Sequence, residues 1–301
     1  MIYYRLVIFM GYGYSYEYDS AAATVTISNL EHFDPVHTFL CGQCFRWEQE
    51  EDGSFTGIAQ GKIINIKAED GKLCLSNCSE DDFLNFWCRY LDLNTDYGTI
   101  KAELSSDDHL RRAMDFGWGI RLLNQEPFEC LISFVISTQN QIPRIKKIIK
   151  KMCELFGEKI SFGGKDYYTF PDCETLASLT EDDLAPINAG YRTSYIIDAS
   201  RKVASGEINL EKLSALPTDT AKAELMKIKG VGPKVADCTM LFSLQKGDAF
   251  PVDVWVQRIV RELYLGEGAS LKQISAFAKE KFGTNSGIAQ QYLFYYAREN
   301  N

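Results

Sequence analysis

The sequence has no long hydrophobic run, no low-complexity tract and no excess of basic residues. Its longest wholly apolar stretches are far too short to span a bilayer as a helix. The apolar run at residues 6–10 has one basic neighbour, Arg5, and lacks the length and the cleavage context of a signal peptide. Apolar residues make up 46% of the chain, which is typical of a globular protein and not of a disordered one.

Paired cysteine motifs are also scarce. The nine cysteines are scattered, and Cys41 and Cys44 form the only Cys-x-x-Cys pair. A zinc site of this kind needs a second pair, so we expect no zinc here. Without a secretory signal, an odd number of cysteines is typical of reduced thiols in a cytoplasm and not of a disulfide framework.

Basic residues are fewer than acidic ones, 32 against 41, and the net charge is −9. This balance argues mildly against nucleic-acid binding, because phosphate contacts come from positive surface. It does not exclude nucleic acid, since a local patch matters more than the sum of the charges. The helix that contains residues 144–151 is amphipathic and locally basic, which from the residues alone favours a solvated basic face.

The patterning divides the chain into three parts and predicts an α+β fold. Residues 1–20 are a tyrosine-rich extension of unknown role, either an extra edge strand or a disordered lead. Residues 21–120 predict an antiparallel sheet domain with short helices, because β-prone stretches alternate with turns such as Asp70-Gly71. Residues 121–301 predict an all-α domain, since helical spacing replaces the strand pattern.

The individual elements follow from the same patterns. Asp81-Asp82 is expected to cap one helix, and Pro143 to begin another. We expect strands at 24–27, 44–47, 55–59, 62–67 and 72–75, and helices at 127–138, 173–179, 181–187, 192–205, 218–228 and 287–298.

Two glycines, Gly230 and Gly232, bracket a turn that leads into a helix, with Val231 between them. Glycine allows a positive-φ turn, and bare backbone amides at a helix N-terminus can hold a phosphate. Such a grip contacts the DNA backbone and not the bases. Gly-x-Gly alone is more often a tight helix–helix turn without a ligand. The whole pattern of residues 225–236, apolar on both sides of the glycines, favours DNA.

Lys234 lies in the first turn of that helix, and Asp253 precedes the next one. Most lysines are solvated surface charges. The helix dipole disfavours a cation at this end, which favours a neutral amine that attacks a carbon electrophile. Asp253 is expected to be a helix N-cap. If it also faces Lys234, its carboxylate would stabilise positive charge on a sugar ring or relay a proton.

Two segments together resemble a known family. GVGPKVADC at residues 230–238, followed by PVDV at 251–254, is similar to the helix-hairpin-helix DNA glycosylases, and most to their 8-oxoguanine DNA glycosylase/AP lyases of the eukaryotic type. The same family is matched at residues 42–47, 137–145, 190–192 and 289–294. The resemblance implies a monomeric enzyme that binds double-stranded DNA containing 8-oxoguanine and no membrane. It would flip the base out, excise it through a lysine Schiff base and nick the abasic site by β-elimination.

The resemblance assigns catalysis to Lys234 and Asp253, and the pocket for the flipped base to Gly42, Cys238, Gln290 and Phe294. The carbonyl of Gly42 would accept the N7–H of 8-oxoguanine and repel guanine, whose N7 is an acceptor. Cys238 and Phe294 would sandwich the base, and Gln290 would bond its Watson–Crick edge. Gln290 and Phe294 are four residues apart, so one helix face presents both.

The resemblance also implies these DNA contacts: Gln139, Asn140, Arg144, Tyr191, Arg192, Gly230, Val231, Gly232 and Trp255. Asn140 and its neighbours would fill the gap left by the flipped base. Arg144, Tyr191 and Arg192 would contact the orphaned cytosine and wedge the duplex, because flipping costs a few kcal/mol of lost pairing and stacking. Trp255 stands where the eukaryotic relatives have histidine, and Ala297 where they have aspartate. Both departures indicate a different subgroup with looser selectivity for the opposite base.

No required cofactor is expected. Related glycosylases hold an iron–sulfur cluster with four C-terminal cysteines, and this sequence has no cysteine after Cys238. The resemblance implies a monovalent or calcium ion at the hairpin, held by the backbone carbonyls of Met226, Ile228 and Val231 when DNA is bound. The implied substrate places the protein at the nucleoid, in the cytoplasm of a prokaryote, or in the nucleus of a eukaryote.

Three other interpretations stay open at this point. The chain would be a non-catalytic helix-hairpin-helix module if Lys234 were replaceable. It would be a glycosylase for another damaged purine, such as an alkylated base, if Gly42 and Gln290 did not select the lesion. Its acidic charge would fit a protein-interaction or metabolic domain if it bound no lesion DNA even at low salt.

Overall fold

The computed structural model describes residues 5–8 and 13–300, with side chains from residue 13 onward. The chain divides into two compact units, Met1–Asn124 and Gln125–Asn301. Among the described residues, no helix is long and apolar enough to cross a membrane. All nine cysteines are free thiols.

The N-terminal unit is built on a seven-stranded antiparallel sheet with the strand order β1-β2-β3-β7-β6-β5-β4. Its strands are β1 Arg5–Ile8, β2 Ser15–Asp19, β3 Thr24–Ser28, β4 Trp47–Gln49, β5 Phe55–Ala59, β6 Lys62–Glu69 and β7 Lys72–Ser76. Its helices are α1 Pro35–Leu40, α2 Glu80–Asp82, α3 Cys88–Tyr90, α4 Tyr97–Leu104 and α5 Asp108–Phe116, and the π-helical turn Phe83–Trp87 joins α2 to α3.

Local turn chemistry sets much of this sheet. Asp70 and Gly71 both have positive φ, 51° and 72°, which is the backbone of a tight hairpin between β6 and β7. The extension predicted at residues 1–20 supplies β1 and β2 at the sheet edge, in its described part.

Two local predictions were wrong. Residues 44–46 are irregular, so β4 begins only at Trp47, and Ser79, whose side chain accepts from Asp82 N–H, caps α2.

The core of this unit lies on one face of the sheet. Trp47 stacks on Phe39 with ring centroids 3.8 Å apart, and both are almost fully buried. Gly57, paired with Trp47 across β4 and β5, gives the indole its space: a Cβ there would lie 2.3 Å from a Trp47 ring atom. A side chain at Gly57 would therefore expel the indole from the core.

The C-terminal unit is helical, with one small β-hairpin. Its helices are α6 Pro127–Ser137, α7 Ile142–Phe156, α8 Cys173–Ser178, α9 Glu181–Leu184, α10 Arg192–Ala204, α11 Leu210–Ala215, α12 Thr218–Leu225, α13 Pro233–Ser243, α14 Val254–Val260, α15 Leu271–Phe282 and α16 Ser286–Glu299. The hairpin pairs β8 Lys159–Phe162 with β9 Lys165–Tyr168, and the short turns are 3₁₀ at Ala185–Ile187 and Gly283–Asn285 and π at Arg261–Leu265.

Helix α6 is the centre of this unit, as its apolar sequence predicts. It is buried on nearly all sides and packs against α7, α10, α11 and α13. The predicted helices are confirmed, while the β8–β9 hairpin and the helices α11 and α15 were missed. The hairpin strands are four residues each, and Gly163 and Gly164 make their turn with φ of 58° and 76°. Segments this short carry little periodic signal.

Candidate active site

Lys234 is the second residue of α13, after Pro233 at the first position and Gly232 as N-cap. Its side chain is half-buried, and its Nζ lies 3.1 Å from Ser137 Oγ at the end of α6. Ser137 donates its own hydroxyl hydrogen to the carbonyl of Phe134 at 2.7 Å, so its oxygen accepts from Lys234. Nζ also lies 4.9 Å from the centroid of the Phe134 ring, a cation–π contact. The C-terminal turn of α6 therefore fixes the position of the amine.

Cys238 lies one turn after Lys234 on the same face of α13. Burial raises the pKa of the Cys238 thiol to about 12, and the neighbouring charge of Lys234 only partly opposes this. The thiol is therefore neutral at physiological pH. A buried, protonated cysteine packs as a small apolar side chain and does not compete as a nucleophile.

Asp253 is the N-cap of α14, as predicted. One of its oxygens, Oδ1, accepts from the N–H groups of Trp255 and Val256 at 3.0 and 2.9 Å. Burial raises the pKa of the Asp253 carboxyl above its usual value, while the Val256 N–H and the positive charge of Lys234 pull it down. The carboxylate and the amine therefore interact electrostatically, and one carboxylate oxygen takes no part in the cap.

The turn between α12 and α13 is held by contacts on both sides. Gly230 has φ of 82°, and a Cβ there would lie 2.2 Å from the Tyr195 ring. Around Gly232, by contrast, no described atom lies within 4 Å of a built Cβ. Lys222 of α12 pairs with Asp237 of α13 at 2.7 Å, and burial raises the pKa of Asp237 to about 6. Gly230 is thus required by the fold, whereas Gly232 is open to an approaching group.

This difference gives a test with a built-in control. We expect Gly230→Ala to cost roughly 1–3 kcal/mol of stability, because it adds left-handed strain and a clash with Tyr195. Gly232→Ala is expected to cost at most about 1 kcal/mol as an N-cap change, but to weaken DNA binding by blocking the close approach of a phosphate. Urea unfolding and binding titrations of both variants at one salt concentration measure this. Equal loss of stability in the two variants would contradict it.

The N–H groups of the first turn of α13 complete this surface. Among the described residues, no side chain caps α13, in contrast to α14 with its Asp253 cap. The bare amides and the positive end of the helix dipole can bind an anion there.

Helix α16 carries the other two predicted pocket residues of this unit. Gly287 at its start packs so closely on α13 that a Cβ would lie 2.1 Å from Leu241 Cδ1. Gln290 is one turn after Gly287, and Cys238 one turn before Leu241, so both continue the faces that meet at this contact. Gln290 is 4% exposed, and its buried Oε1 has no hydrogen-bond partner among the described residues. Such an acceptor fits a ligand that brings its own donors.

Phe294 is half-buried one turn further along α16. The guanidinium of Arg298 lies 5.4 Å from the centroid of its ring. Ala297 is buried, and Trp255 is half-buried in the first turn of α14. Val254 beside it is 73% exposed.

Hydrogen bonds to the backbone hold the loop between α6 and α7. Gln139 is exposed and has φ of 47°, an uncommon conformation for a residue other than glycine. Asn140 folds back, with Nδ2 donating to the Ile136 carbonyl at 3.1 Å and Oδ1 accepting from Gln141 N–H at 3.0 Å. To fill a gap in DNA, the Asn140 side chain must first leave these two bonds.

Arg192 holds this loop. It is only 4% exposed, and its Nε and Nη2 both donate to the Thr138 carbonyl, at 2.9 and 2.6 Å. Nη2 also donates to the carbonyl of Gln139 at 3.0 Å, and Nη1 to that of Ala189 at 3.2 Å. Tyr191, 51% exposed, covers the guanidinium with its ring at 4.5 Å. In this structure Arg192 supports the loop, and its contact with cytosine stays a prediction.

Arg144 is a matched control for Arg192, because it is also an arginine but its side chain is not buried. It is exposed, and its Nη2 makes one long contact of 3.4 Å with the Asn188 carbonyl. We expect Arg192→Gln to destabilise the protein by roughly 2 kcal/mol or more, because it removes hydrogen bonds to the carbonyls of Thr138, Gln139 and Ala189, the last of them in a buried position. Arg144→Gln should change stability by less than about 0.5 kcal/mol. Equal urea midpoints for the two variants would refute the support role of Arg192.

Gly42 belongs to the N-terminal unit. It lies just after the end of α1 with φ of 88°, a conformation that glycine adopts readily. The next residue, Gln43, is fully buried and held by three hydrogen bonds. Its Nε2 donates to the carbonyls of Thr38 and Arg121, at 2.9 and 2.7 Å, and its Oε1 accepts from Leu123 N–H at 2.9 Å. The role of the Gly42 carbonyl stays a prediction.

The sequence did not reveal Ser137, Tyr195 or Gln43 as supporting residues. Ser137 is a polar residue at the last position of a mostly apolar helix, which was the only available signal. The hairpin ion also stays a prediction. Of the three carbonyls proposed for it, that of Ile228 already accepts the Val231 N–H at 3.1 Å, so it has one lone pair left for a cation.

Two family models cover most of the chain. Residues 25–131 match the N-terminal domain of 8-oxoguanine DNA glycosylase, and residues 132–283 match the HhH-GPD superfamily base excision DNA repair proteins.

Individual relatives agree with the family models. The N-glycosylase/DNA lyase of Arabidopsis thaliana is 30% identical over 85% of this chain and 75% of its own length. A probable N-glycosylase/DNA lyase of Methanothermobacter thermautotrophicus is 32% identical over 64% of this chain and 68% of its own length.

A solved structure extends the likeness to the whole chain. The Clostridium acetobutylicum 8-oxoguanine glycosylase/lyase, in complex with double-stranded DNA containing cytosine opposite to 8-oxoguanine, is 45% identical with a TM-score of 0.92. The match covers 100% of this chain and 98% of that one. The chain therefore belongs to the HhH-GPD superfamily of base excision DNA repair proteins, within its 8-oxoguanine DNA glycosylase family.

Proposed function

We propose that this protein excises 8-oxoguanine from duplex DNA and cleaves the resulting abasic site, with Lys234 as nucleophile and Asp253 as its carboxylate partner. The observation that carries the proposal is the position of Lys234. Its amine is half-buried at the start of the hairpin helix, beside the charge of Asp253 and against Ser137 Oγ at 3.1 Å. A surface lysine with a structural role would not need this enclosure.

The chemistry follows from these groups. Lys234 first gives up a proton to solvent, and its amine then attacks C1′ of the lesion nucleotide. The bond from C1′ to N9 breaks, and the departing base takes the electron pair and a proton from solvent. Positive character that develops on the sugar lies next to the Asp253 carboxylate, which stabilises it. The sugar ring then opens to a Schiff base. Loss of a C2′ proton expels the 3′ phosphate, which nicks the strand.

The pocket on α16 and α13 supports a purine with donors on its Watson–Crick edge. Gln290 has a buried acceptor without a partner, and guanine-type bases present N–H groups on that edge. An adenine-type edge would offer Gln290 a different pattern of donors and acceptors. The neutral thiol of Cys238 offers an apolar contact to a base face. Gly42 would then separate 8-oxoguanine from guanine, as the family resemblance implies.

The test is a panel of duplexes under single-turnover conditions. It contains 8-oxoguanine opposite each of the four bases, guanine opposite cytosine, and an alkylated purine opposite thymine. We expect excision of 8-oxoguanine only, with a smaller spread among opposite bases than in eukaryotic relatives because of Trp255 and Ala297. Faster excision of the alkylated purine would assign the protein to another substrate class. Binding without excision of any base would make it a non-catalytic DNA-binding module.

A further inference from the structure

A basic cleft lies beside the loop that holds Asn140. Its wall is the solvent-facing side of α7, and its other side is the turn at residues 186–188. The cleft has a volume of about 750 Å³ and is lined by four basic side chains and one acidic one: Arg144, Lys147, Lys150, Lys151 and Glu154. Its charge is therefore +3 on a chain whose net charge is −9.

A row of lysines on a helix is usually a solvated face, and two features distinguish this one. The lysines line a concave surface, where a field is focused more strongly than on a convex one. The row also begins at Arg144, whose contact with the Asn188 carbonyl connects the two walls of the cleft. Lys147, Lys150 and Lys151 are exposed, and Lys151 lies 3.5 Å from Glu154, an exposed pair that contributes little and is easily exchanged for a phosphate.

The spacing of the basic side chains suits a nucleic-acid backbone. Arg144, Lys147 and Lys151 are three and four residues apart, so they lie on one face of α7. They extend over about 10 Å at 1.5 Å per residue, which matches about three phosphates of one DNA strand at 3.4 Å each along the axis. Apolar residues hold the opposite face of α7 in the core, so the basic face cannot rotate inward.

We propose that this cleft binds the phosphates of the strand opposite the lesion, on one side of the unpaired base. The inference rests on the proposed function, because the family resemblance behind that function places Asn140 and Arg144 at the unpaired base. The cleft continues outward from Arg144, so a strand that passes Arg144 meets Lys147 and then Lys151. The contact is sequence-independent, and it lengthens the DNA footprint without taking part in base excision.

The experiment compares a Lys147→Gln/Lys150→Gln/Lys151→Gln triple variant with a control of equal charge change, Lys212→Gln/Lys272→Gln/Lys279→Gln. The control lysines are exposed on α11 and α15, away from the cleft. Binding to an 8-oxoguanine duplex is titrated over a range of KCl concentrations. The slope of log K against log[KCl] should become shallower by about 0.9 for each lysine that meets a phosphate, and the control should keep the wild-type slope. Single-turnover excision at saturating DNA should be unchanged in both.

Two further duplexes, each cut short on one side of the lesion, locate the contact. The difference between the triple variant and the control should vanish on one shortened duplex and persist on the other. A slope equal to the control on the full duplex would overturn the proposal. A difference that persists on both shortened duplexes would also overturn it. The same holds if the wild-type protein binds poly-glutamate tightly and the triple variant loses this binding while its DNA slope is unchanged. If the wild-type protein excises no 8-oxoguanine but the triple variant still has a shallower slope than the control, the cleft is supported and only the proposed function is overturned.

Discussion

We expect a Lys234→Gln variant to bind 8-oxoguanine duplexes but neither to excise the base nor to nick the strand. Glutamine is one atom shorter than lysine but keeps a polar, uncharged end at this position, so we expect the fold and the hairpin to be preserved. It has no nucleophilic amine, so the covalent step is lost. We expect the single-turnover rate to fall by roughly 10⁴-fold or more, the scale seen when a covalent nucleophile is removed.

Lys229→Gln is the matched control. Lys229 is also a lysine of the hairpin, but it is exposed, with its Nζ 3.4 Å from Ser194 Oγ and 5.7 Å from the Tyr195 ring centroid. We expect it to retain the wild-type rate and to lose some affinity for DNA. If Lys234→Gln kept a rate within tenfold of Lys229→Gln, another group would have to be the nucleophile.

The second large effect is that of Asp253→Asn. Asparagine is as good an N-cap as aspartate, so α14 keeps its start. The negative charge beside the sugar is lost, which should lower the excision rate by roughly 10²- to 10³-fold. Asp172→Asn is the control, because Asp172 caps α8 in the same way, accepting from Thr175 N–H at 2.7 Å. A loss of rate with Asp172→Asn as large as with Asp253→Asn would point to cap loss and not to chemistry.

The pH dependence of this pair has a defined sign. The pKa of Asp253 is raised above 3.8 by burial, so the folded protein holds this proton where the unfolded chain has lost it. Ionisation of Asp253 therefore costs stability as the pH rises through that window, and Asp253→Asn should be no less stable than wild type at neutral pH. The excision rate, which needs the carboxylate, rises with pH over the same window. This acid limb should be absent from the rate profile of the variant.

The parts of the site that the sequence could predict depend on local signals. Lys234 in the first turn of a helix, Asp253 as an N-cap and a positive φ at Gly230 each follow from the chemistry of a few neighbouring residues. The same holds for the Asp70-Gly71 hairpin. The identity of the flipped base had no such local signal, and it came only from resemblance, through Gly42 and Gln290.

The parts that could not be predicted depend on contacts between distant residues. The bond between Lys234 and Ser137 joins residues 97 positions apart, and the Tyr195 ring beneath Gly230 comes from another helix. Arg192 shows the same limit in the opposite direction. The family resemblance implies that Arg192 contacts DNA, yet in this structure its guanidinium is buried on backbone carbonyls. Burial of a charge is decided by tertiary packing, which sequence periodicity does not report.

The most direct test of the proposed chemistry locates the covalent bond. Wild-type protein is mixed with an 8-oxoguanine duplex in the presence of borohydride, digested with a protease, and the cross-linked peptide is sequenced by mass spectrometry. We expect the reduced sugar adduct on Lys234. An adduct on Lys229 or on the N-terminal amine, or complete excision without any adduct, would contradict the assignment of Lys234 as the nucleophile.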